Sequence, residues 1–126
     1  MSIRIPDYIP LLAGASVTPN RLVKIGAADQ TVILSTAASD KSIGVSAPLI
    51  TTATGAVVDV AIGGVAEVIA GGTVTRGDRI TSDANGAGVT AAPAAGTNNF
   101  VVGIALESAV SGDVFSVLLV PQVLQG

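Results

Sequence analysis

Hydrophobic and polar residues alternate with a period of two in the most regular stretches of the chain. Residues 57–62 read VVDVAI and residues 114–120 read VFSVLLV. Alternation in segments rich in Val and Ile is typical of strands, and Gly, Asn, Asp and Pro interrupt the chain every six to ten residues or so. No apolar stripe with helical spacing is sustained, so the pattern predicts an all-β chain folded as a small single-domain β-barrel or sandwich.

The pattern also repeats along the chain. Residues 11–18 read LLAGASVT and residues 68–75 read VIAGGTVT, at an offset of 57 (68 minus 11). Two further matches occur in the same order, GAVVDV with GDVFSV at an offset of 57 and IGVS with VGIA at an offset of 59. Three ordered matches predict a pseudo-repeat of two similar halves, about residues 11–64 and 68–120, that share one aliphatic core.

Each half carries a glycine inside an apolar segment, Gly44 in the first half and Gly103 in the second. Glycine within a strand is typical of a bulge, a sharp bend or a close backbone approach. We therefore expect the chain to bend at both positions and so to close a small barrel.

The first ten residues, MSIRIPDYIP, lie outside the repeat. Pro6 and Pro10 are incompatible with a helix through this segment, and its isoleucines alternate with polar residues. The segment is predicted to be an extended N-terminal arm, residues 1–10, that precedes a single β domain, residues 11–126. An arm of this kind can dock on a partner as an added strand.

The amino-acid composition narrows the classes of function that this chain can have. Of the 126 residues, 49% are hydrophobic and only 12% are charged, a surface that suits a protein packed against neighbours. The net charge of −3 and the scattered Lys and Arg residues argue against nucleic acid as a partner. Polar residues and glycines break every long uncharged stretch, and the N-terminus lacks the apolar region of a secretory signal. We expect no membrane contact and a soluble cytoplasmic product.

Catalytic chemistry is poorly supported. The chain has no His and no Cys, so the usual nucleophile–base pairs and thiolate metal sites are missing. A carboxylate pair such as Asp59 with Glu67 could serve glycoside chemistry only in a cleft lined by aromatic side chains, and aromatic residues are 2% of the chain. We expect no enzyme, no cofactor and no metal site.

Two short motifs have structural interpretations. Arg76-Gly77-Asp78 spells a tripeptide known from cell adhesion, but it aligns with the turn Pro19-Asn20-Arg21 of the first half and is predicted to be a turn. Asp83-Ala84-Asn85-Gly86 resembles the start of a calcium loop but lacks the later oxygen ligands. Its Asn-Gly step predicts a hairpin instead.

The chain resembles the capsid cement, or head decoration, proteins of tailed bacteriophages over about residues 11–120. The resemblance rests on bends and turns, namely Gly64–Val68 followed by Ala70–Asp78, the closing pattern Val102–Glu107 and Ser111–Val114 with the apolar strand to Val120, and Ile43–Ser46. It implies a compact β-barrel or sandwich that binds the outside of an assembled capsid and holds neighbouring major capsid subunits together.

The resemblance also implies a virion location on the capsid exterior and a homo-oligomer, with a trimer favoured and a dimer possible. In that setting the arm is the expected capsid contact, through Ile3, Arg4, Ile5, Asp7, Tyr8 and Ile9. The alternative function is a tail- or fibre-associated β-module that binds a host-surface glycan. That alternative requires exposed aromatic side chains, which only Tyr8, Phe100 and Phe115 can supply.

Overall fold

A computed structural model describes residues 7–47 and 50–126, and these residues form ten strands and no helix. The all-β class and the barrel predicted from the alternation of residues are confirmed. In chain order the strands are β1 (Asp7–Ala13), β2 (Leu22–Ile25), β3 (Thr31–Leu34), β4 (Ser42–Ser46), β5 (Val57–Gly63), β6 (Val65–Ile69), β7 (Arg79–Ser82), β8 (Gly88–Thr90), β9 (Asn98–Ala105) and β10 (Val114–Gln125).

The first five strands form a closed barrel in the order β1-β3-β2-β4-β5. β1 closes the barrel by pairing antiparallel with β5, and it pairs parallel with β3 through Leu12 and Ala13. The last five strands form a second sheet in the order β6-β10-β9-β7-β8. In that sheet a single parallel bridge joins Ala70, just after β6, to Gly88 in β8.

The two sheets have the same connectivity when each strand is matched to the strand five places later. β2 begins at Leu22 and β7 begins at Arg79, at the same offset of 57 as the sequence repeat. The isolated bridges Val17–Thr52 and Val74–Ala109 are also displaced by this offset. This correspondence supports the predicted pseudo-repeat, which remains a proposal about how the chain is built.

The core consists almost entirely of aliphatic side chains in two clusters. One cluster fills the barrel and includes Val23, Val32 and Val58. The other fills the second sheet around Phe115, and Leu22, Val45 and Ala61 of the barrel also belong to it. Because barrel residues complete the core of the second sheet, the two halves pack as one hydrophobic unit.

Gly44 and Gly103 both lie where two backbones approach too closely for a side chain. A Cβ at Gly44 would overlap the carbonyl oxygen of Ala61, and a Cβ at Gly103 would overlap that of Leu118. Ala61 and Leu118 are related by the offset of the repeat, so the same crossing occurs in each half. Only glycine permits this approach, and it brings β4 onto β5 and β9 onto β10.

A ladder irregularity adjoins each of these glycines. The β2–β4 register shifts between Val23 and Lys24, directly opposite Gly44. The β9–β10 register shifts just after Leu119, which pairs with Gly103. Bulges of this kind bend a strand and increase its twist, as closure of so small a barrel requires.

The predicted boundary of the arm differs from the structure. Residues 7–10 lie in β1, where Asp7 pairs with Gly63 and Pro10 pairs with Asp59. Ile9 packs against the barrel core, which explains why the strand begins before Leu11. Residues 1–6, the rest of the predicted arm, lie outside the described residues.

The glycine crossings generate a stability prediction. Gly103→Ala should lower the free energy of unfolding by about 3 kcal/mol, because the new methyl group overlaps the Leu118 carbonyl and overpacks the crossing. Gly72→Ala is the matched control, since its Cβ would meet only the Val89 side chain at 4.0 Å. Urea denaturation of both variants should show a large loss for Gly103→Ala alone, and equal losses would contradict the crossing.

Candidate functional site

The structure describes three of the six predicted contact residues. Asp7, Tyr8 and Ile9 are consecutive in β1, whereas Ile3, Arg4 and Ile5 lie outside the described residues. Asp7 and Tyr8 are exposed, Tyr8 to 50%, while Ile9 is partly buried against the barrel core. Alternation along the strand therefore directs Tyr8 outward and Ile9 inward.

Tyr8 stands at one wall of a groove of about 370 Å³ between the barrel and the second sheet. This wall of the groove extends across the barrel surface from Tyr8 to Ala61 and Val45. These three residues are neighbours on adjacent strands, because Tyr8 pairs with Ala61 and Ala61 pairs with Val45. The opposite wall is the start of β6, residues 65–67. Small side chains at Ala61 and Ala66 leave the groove open between the two walls.

The turn before β2 closes one end of the groove and ties the halves together. Asn20 adopts a left-handed backbone conformation, with φ of 60°. Its N–H donates to the Ser46 carbonyl at 2.9 Å, and its carbonyl accepts the N–H of Ile69 at 2.9 Å. Ser46 is buried, and its hydroxyl donates to the Thr18 carbonyl at 2.6 Å. The groove is therefore a fixed feature of the junction between the halves.

The groove offers a recognition surface with little catalytic chemistry. Glu67 is the one charged side chain among the described residues that line it, and Asp59 does not line it. Phe115 is buried, at 1% exposure, and Phe100 is partly buried, so Tyr8 is the one exposed aromatic side chain in the described ranges. Within residues 7–47 and 50–126, no three His, Cys, Asp or Glu side chains are grouped as metal ligands. That part of the chain also contains no helix able to span a membrane.

The Arg76-Gly77-Asp78 tripeptide forms the predicted turn. Gly77 has φ of 90°, and the Asp78 carboxylate accepts the N–H of Thr75 at 2.9 Å and the hydroxyl of Thr90 at 2.8 Å. The Arg76 N–H donates to the Ser108 hydroxyl at 3.1 Å. The aspartate therefore stabilises the turn and the neighbouring hairpin.

The predicted hairpin at Asp83–Gly86 is confirmed. β7 and β8 pair antiparallel, with Ser82 opposite Gly88. The Asp83 carboxylate accepts the N–H groups of Asn85 at 2.8 Å and Ala87 at 2.9 Å. This carboxylate organises its own loop, which explains the acidic start of the motif without a cation.

Asp40 is the carboxylate whose environment perturbs it most clearly. Its oxygen lies 2.8 Å from the Lys24 ammonium and accepts the Thr36 N–H at 2.8 Å and the Thr36 hydroxyl at 3.1 Å. Burial raises the pKa of Asp40, but the hydrogen bonds from Lys24 and Thr36 outweigh it and lower the pKa below its ordinary value. The group fixes the loop between β3 and β4 to β2.

The groove itself was not predicted from the sequence. It depends on which strands become neighbours, and that information is long-range. The repeat carries one signal that could have indicated the groove. Its offset of 57 matches Tyr8 with Val65 and Pro10 with Glu67. Tyr8 and Pro10 lie on β1, and Val65 and Glu67 lie on β6. Of these four residues, Tyr8, Val65 and Glu67 line the groove.

Comparison with known proteins gives two findings. The family described as phage cement protein matches residues 7–121. The crystal structure of the head fiber gp8.5 N base of bacteriophage phi29 covers 97% of this chain and 100% of its own, with a TM-score of 0.69 and 21% identity. Similarity at that identity shows the fold alone. No curated protein sequence matches the chain.

The Asp40 cluster generates a pH prediction. Because its pKa is lowered in the folded protein, Asp40 stabilises the fold at neutral pH, and that contribution is lost as the pH falls through the folded pKa. Asp40→Asn should lower the free energy of unfolding by about 1 kcal/mol at pH 7 and by progressively less in acid. Asp29→Asn, at an exposed site, is the control. A deficit that stays constant down to acid pH would contradict this role.

Proposed function

The chain belongs to the phage cement protein family, and from this membership we propose that it binds the outer surface of an assembled capsid and holds neighbouring major capsid subunits together. It is a structural protein of the phage virion. The proposal has three elements. The protein binds the outer surface of the capsid, its partner there is the major capsid protein, and it clamps neighbouring subunits together.

The observation that carries the proposal is the extent of the family match. It runs from residue 7 to residue 121, which is from the first residue of β1 into the last strand. The match therefore concerns the whole folded unit of two halves. A cementing role is accordingly assigned to the domain itself.

The surface of the domain is suited to packing against protein. Charged residues make up only 12% of the chain, so little charge must be desolvated when the surface is covered. Large apolar side chains are exposed in both halves, among them Tyr8 at 50%, Val57 at 62%, Val110 at 57% and Val123 at 53%. Contacts of this kind are weak singly and become strong when many copies bind one lattice.

The proposed capsid contact is the N-terminal segment with the start of β1, through Ile3, Arg4, Ile5, Asp7, Tyr8 and Ile9. Asp7 and Tyr8 are exposed at the point where β1 begins, beside the groove. The apolar and basic residues that precede them in the sequence complete the proposed contact. The partly buried Ile9 anchors the contact to the barrel core.

A homo-oligomer is also part of the proposal, with a trimer favoured and a dimer possible. An oligomer would engage several capsid subunits at once and so multiply weak contacts. Light scattering of the purified protein measures its mass directly. A strictly monomeric protein, free and on the capsid, would contradict this element of the proposal.

The glycan-binding alternative has less support. Sugar-binding sites stack pyranose rings on exposed aromatic side chains, and this domain exposes Tyr8 while Phe115 is fully buried. One exposed tyrosine beside a groove does not make a stacking platform. We therefore retain capsid binding as the function.

The test uses undecorated capsids of the phage that encodes the chain. Purified protein should co-sediment with them at a fixed stoichiometry and raise the temperature at which they rupture. Absence of binding to every capsid form would overturn the proposed function.

The contact is tested by deleting residues 2–6, which leaves β1 intact. The deletion should leave the melting temperature of the domain unchanged and weaken capsid binding by roughly tenfold or more, the effect of losing about 1.4 kcal/mol of contact energy. Thr54→Ala, at an exposed position to which no contact is assigned, is the control and should bind as the natural chain does. Unchanged binding by the deletion would show that the segment is not a contact.

A further inference from the structure

β6 is an edge strand whose outer side faces the groove. It stands first in the order of its sheet and pairs along its length only with β10. Residues 65–67 of β6 line the groove, opposite Tyr8. The exposed side of an edge strand is a template for pairing with another extended chain.

The hydrogen-bonding groups on that side can be assigned from the ladder. Ser116, which pairs with Glu67, directs its N–H to the Glu107 carboxylate and its carbonyl to the N–H of Leu106, away from β6. In an antiparallel ladder the residue opposite such a position also points outward. The backbone N–H and C=O of Glu67 therefore face the groove, and those of Val65, two residues earlier, do the same.

Neighbouring residues confirm this alternation. The N–H of Ile69, two residues after Glu67, points to the same side and donates to the Asn20 carbonyl at 2.9 Å. No backbone donor or acceptor among the described residues satisfies the outward groups of Val65 and Glu67 in this way. The open part of the edge is therefore short, with two donors and two acceptors.

In the first half, the matching position of β1 cannot offer a backbone donor on its unpaired side. Pro10 in β1 pairs with Asp59, and Glu67 in β6 pairs with Ser116, so the two pairs correspond on both strands at the offset of the repeat. Proline has no N–H to offer a further strand and is a common means of protecting an edge. The position that is protected in the barrel is thus left available in the second sheet.

We propose that an extended segment of the coat protein adds to β6 as a strand, with its backbone paired to Val65 and Glu67. This inference rests on the proposed capsid binding and names the surface that receives the coat protein. The segment lies in the groove between β6 and Tyr8 and places a basic side chain against the Glu67 carboxylate. Main-chain hydrogen bonds would provide the affinity of such a complex, and the groove walls its specificity.

Charge complementarity favours a basic segment of the coat protein over a second copy of this chain as the occupant. Glu67 is the one charged side chain among the described residues of the groove, and it makes no ion pair with any described residue. A second copy would bring its own net charge of −3 to this acidic edge. A basic extended segment complements both the charge and the backbone groups.

Two substitutions of Glu67 distinguish the contribution of its backbone N–H to capsid binding from the contribution of its charge. Glu67→Pro removes the outward N–H and reproduces in β6 the residue that β1 carries at the matching position. Glu67→Gln removes only the charge and keeps the N–H. In co-sedimentation with undecorated capsids, Glu67→Pro should weaken binding by roughly tenfold or more and Glu67→Gln by about two- to fivefold.

Hydrogen exchange provides a measurement that needs no variant. In the natural chain, the amides of Val65 and Glu67 should exchange rapidly when the protein is free and at least about tenfold more slowly on the capsid. The amides of Ala66 and Val68, which point toward β10, serve as internal controls and should be slow in both states.

The outcomes are distinct. If the natural chain fails to bind capsids, the proposed function fails. If it binds and folded Glu67→Pro binds equally well, or if Glu67→Pro and Glu67→Gln weaken binding equally, strand addition at β6 is overturned. A change in self-association alone would place a second copy on this edge and also overturn the proposal, as would unchanged exchange at Val65 and Glu67.

Discussion

The structure depends on an aliphatic core that the second half does not complete alone. Leu22, Val45 and Ala61 belong to barrel strands, yet they pack with Phe115 in the core of the second sheet. With almost no aromatic residues, the chain must bury many small side chains, and two small sheets achieve this only by sharing a boundary. The groove lies where that boundary reaches the surface, so the candidate binding site is a product of how the halves pack.

Local pattern was sufficient to predict the fold class. Alternation over residues 57–62 and 114–120 correctly predicted strands, and the mid-strand glycines indicated positions where backbones approach closely. These features depend on neighbours in sequence and on the conformational freedom of single residues. The repeat went further, because its offset also relates the strands and bridges of the two sheets to one another.

Neither the residue at which the domain starts nor the groove could be predicted from local sequence pattern. Pro6 and Pro10 suggested an arm through residue 10, but Ile9 has a place in the barrel core that only the folded structure reveals. Pro10 is compatible with a strand because its missing N–H lies on the side away from β5. The edge position of Glu67 was equally hidden, since it depends on β6 ending a sheet whose order is set by contacts far apart in sequence.

The difference between Pro10 and Glu67 also limits how the protein can assemble. A molecule with two equivalent open edges can join its copies edge to edge without end, as a ribbon or fibre. Here the barrel is closed and carries proline at the position matched to Glu67, and the far strand of the second sheet, β8, is only three residues long. If a strand adds to β6 as we propose, the matched position of β1 cannot repeat that pairing, so the domain would end the growth of a sheet instead of linking one copy to the next.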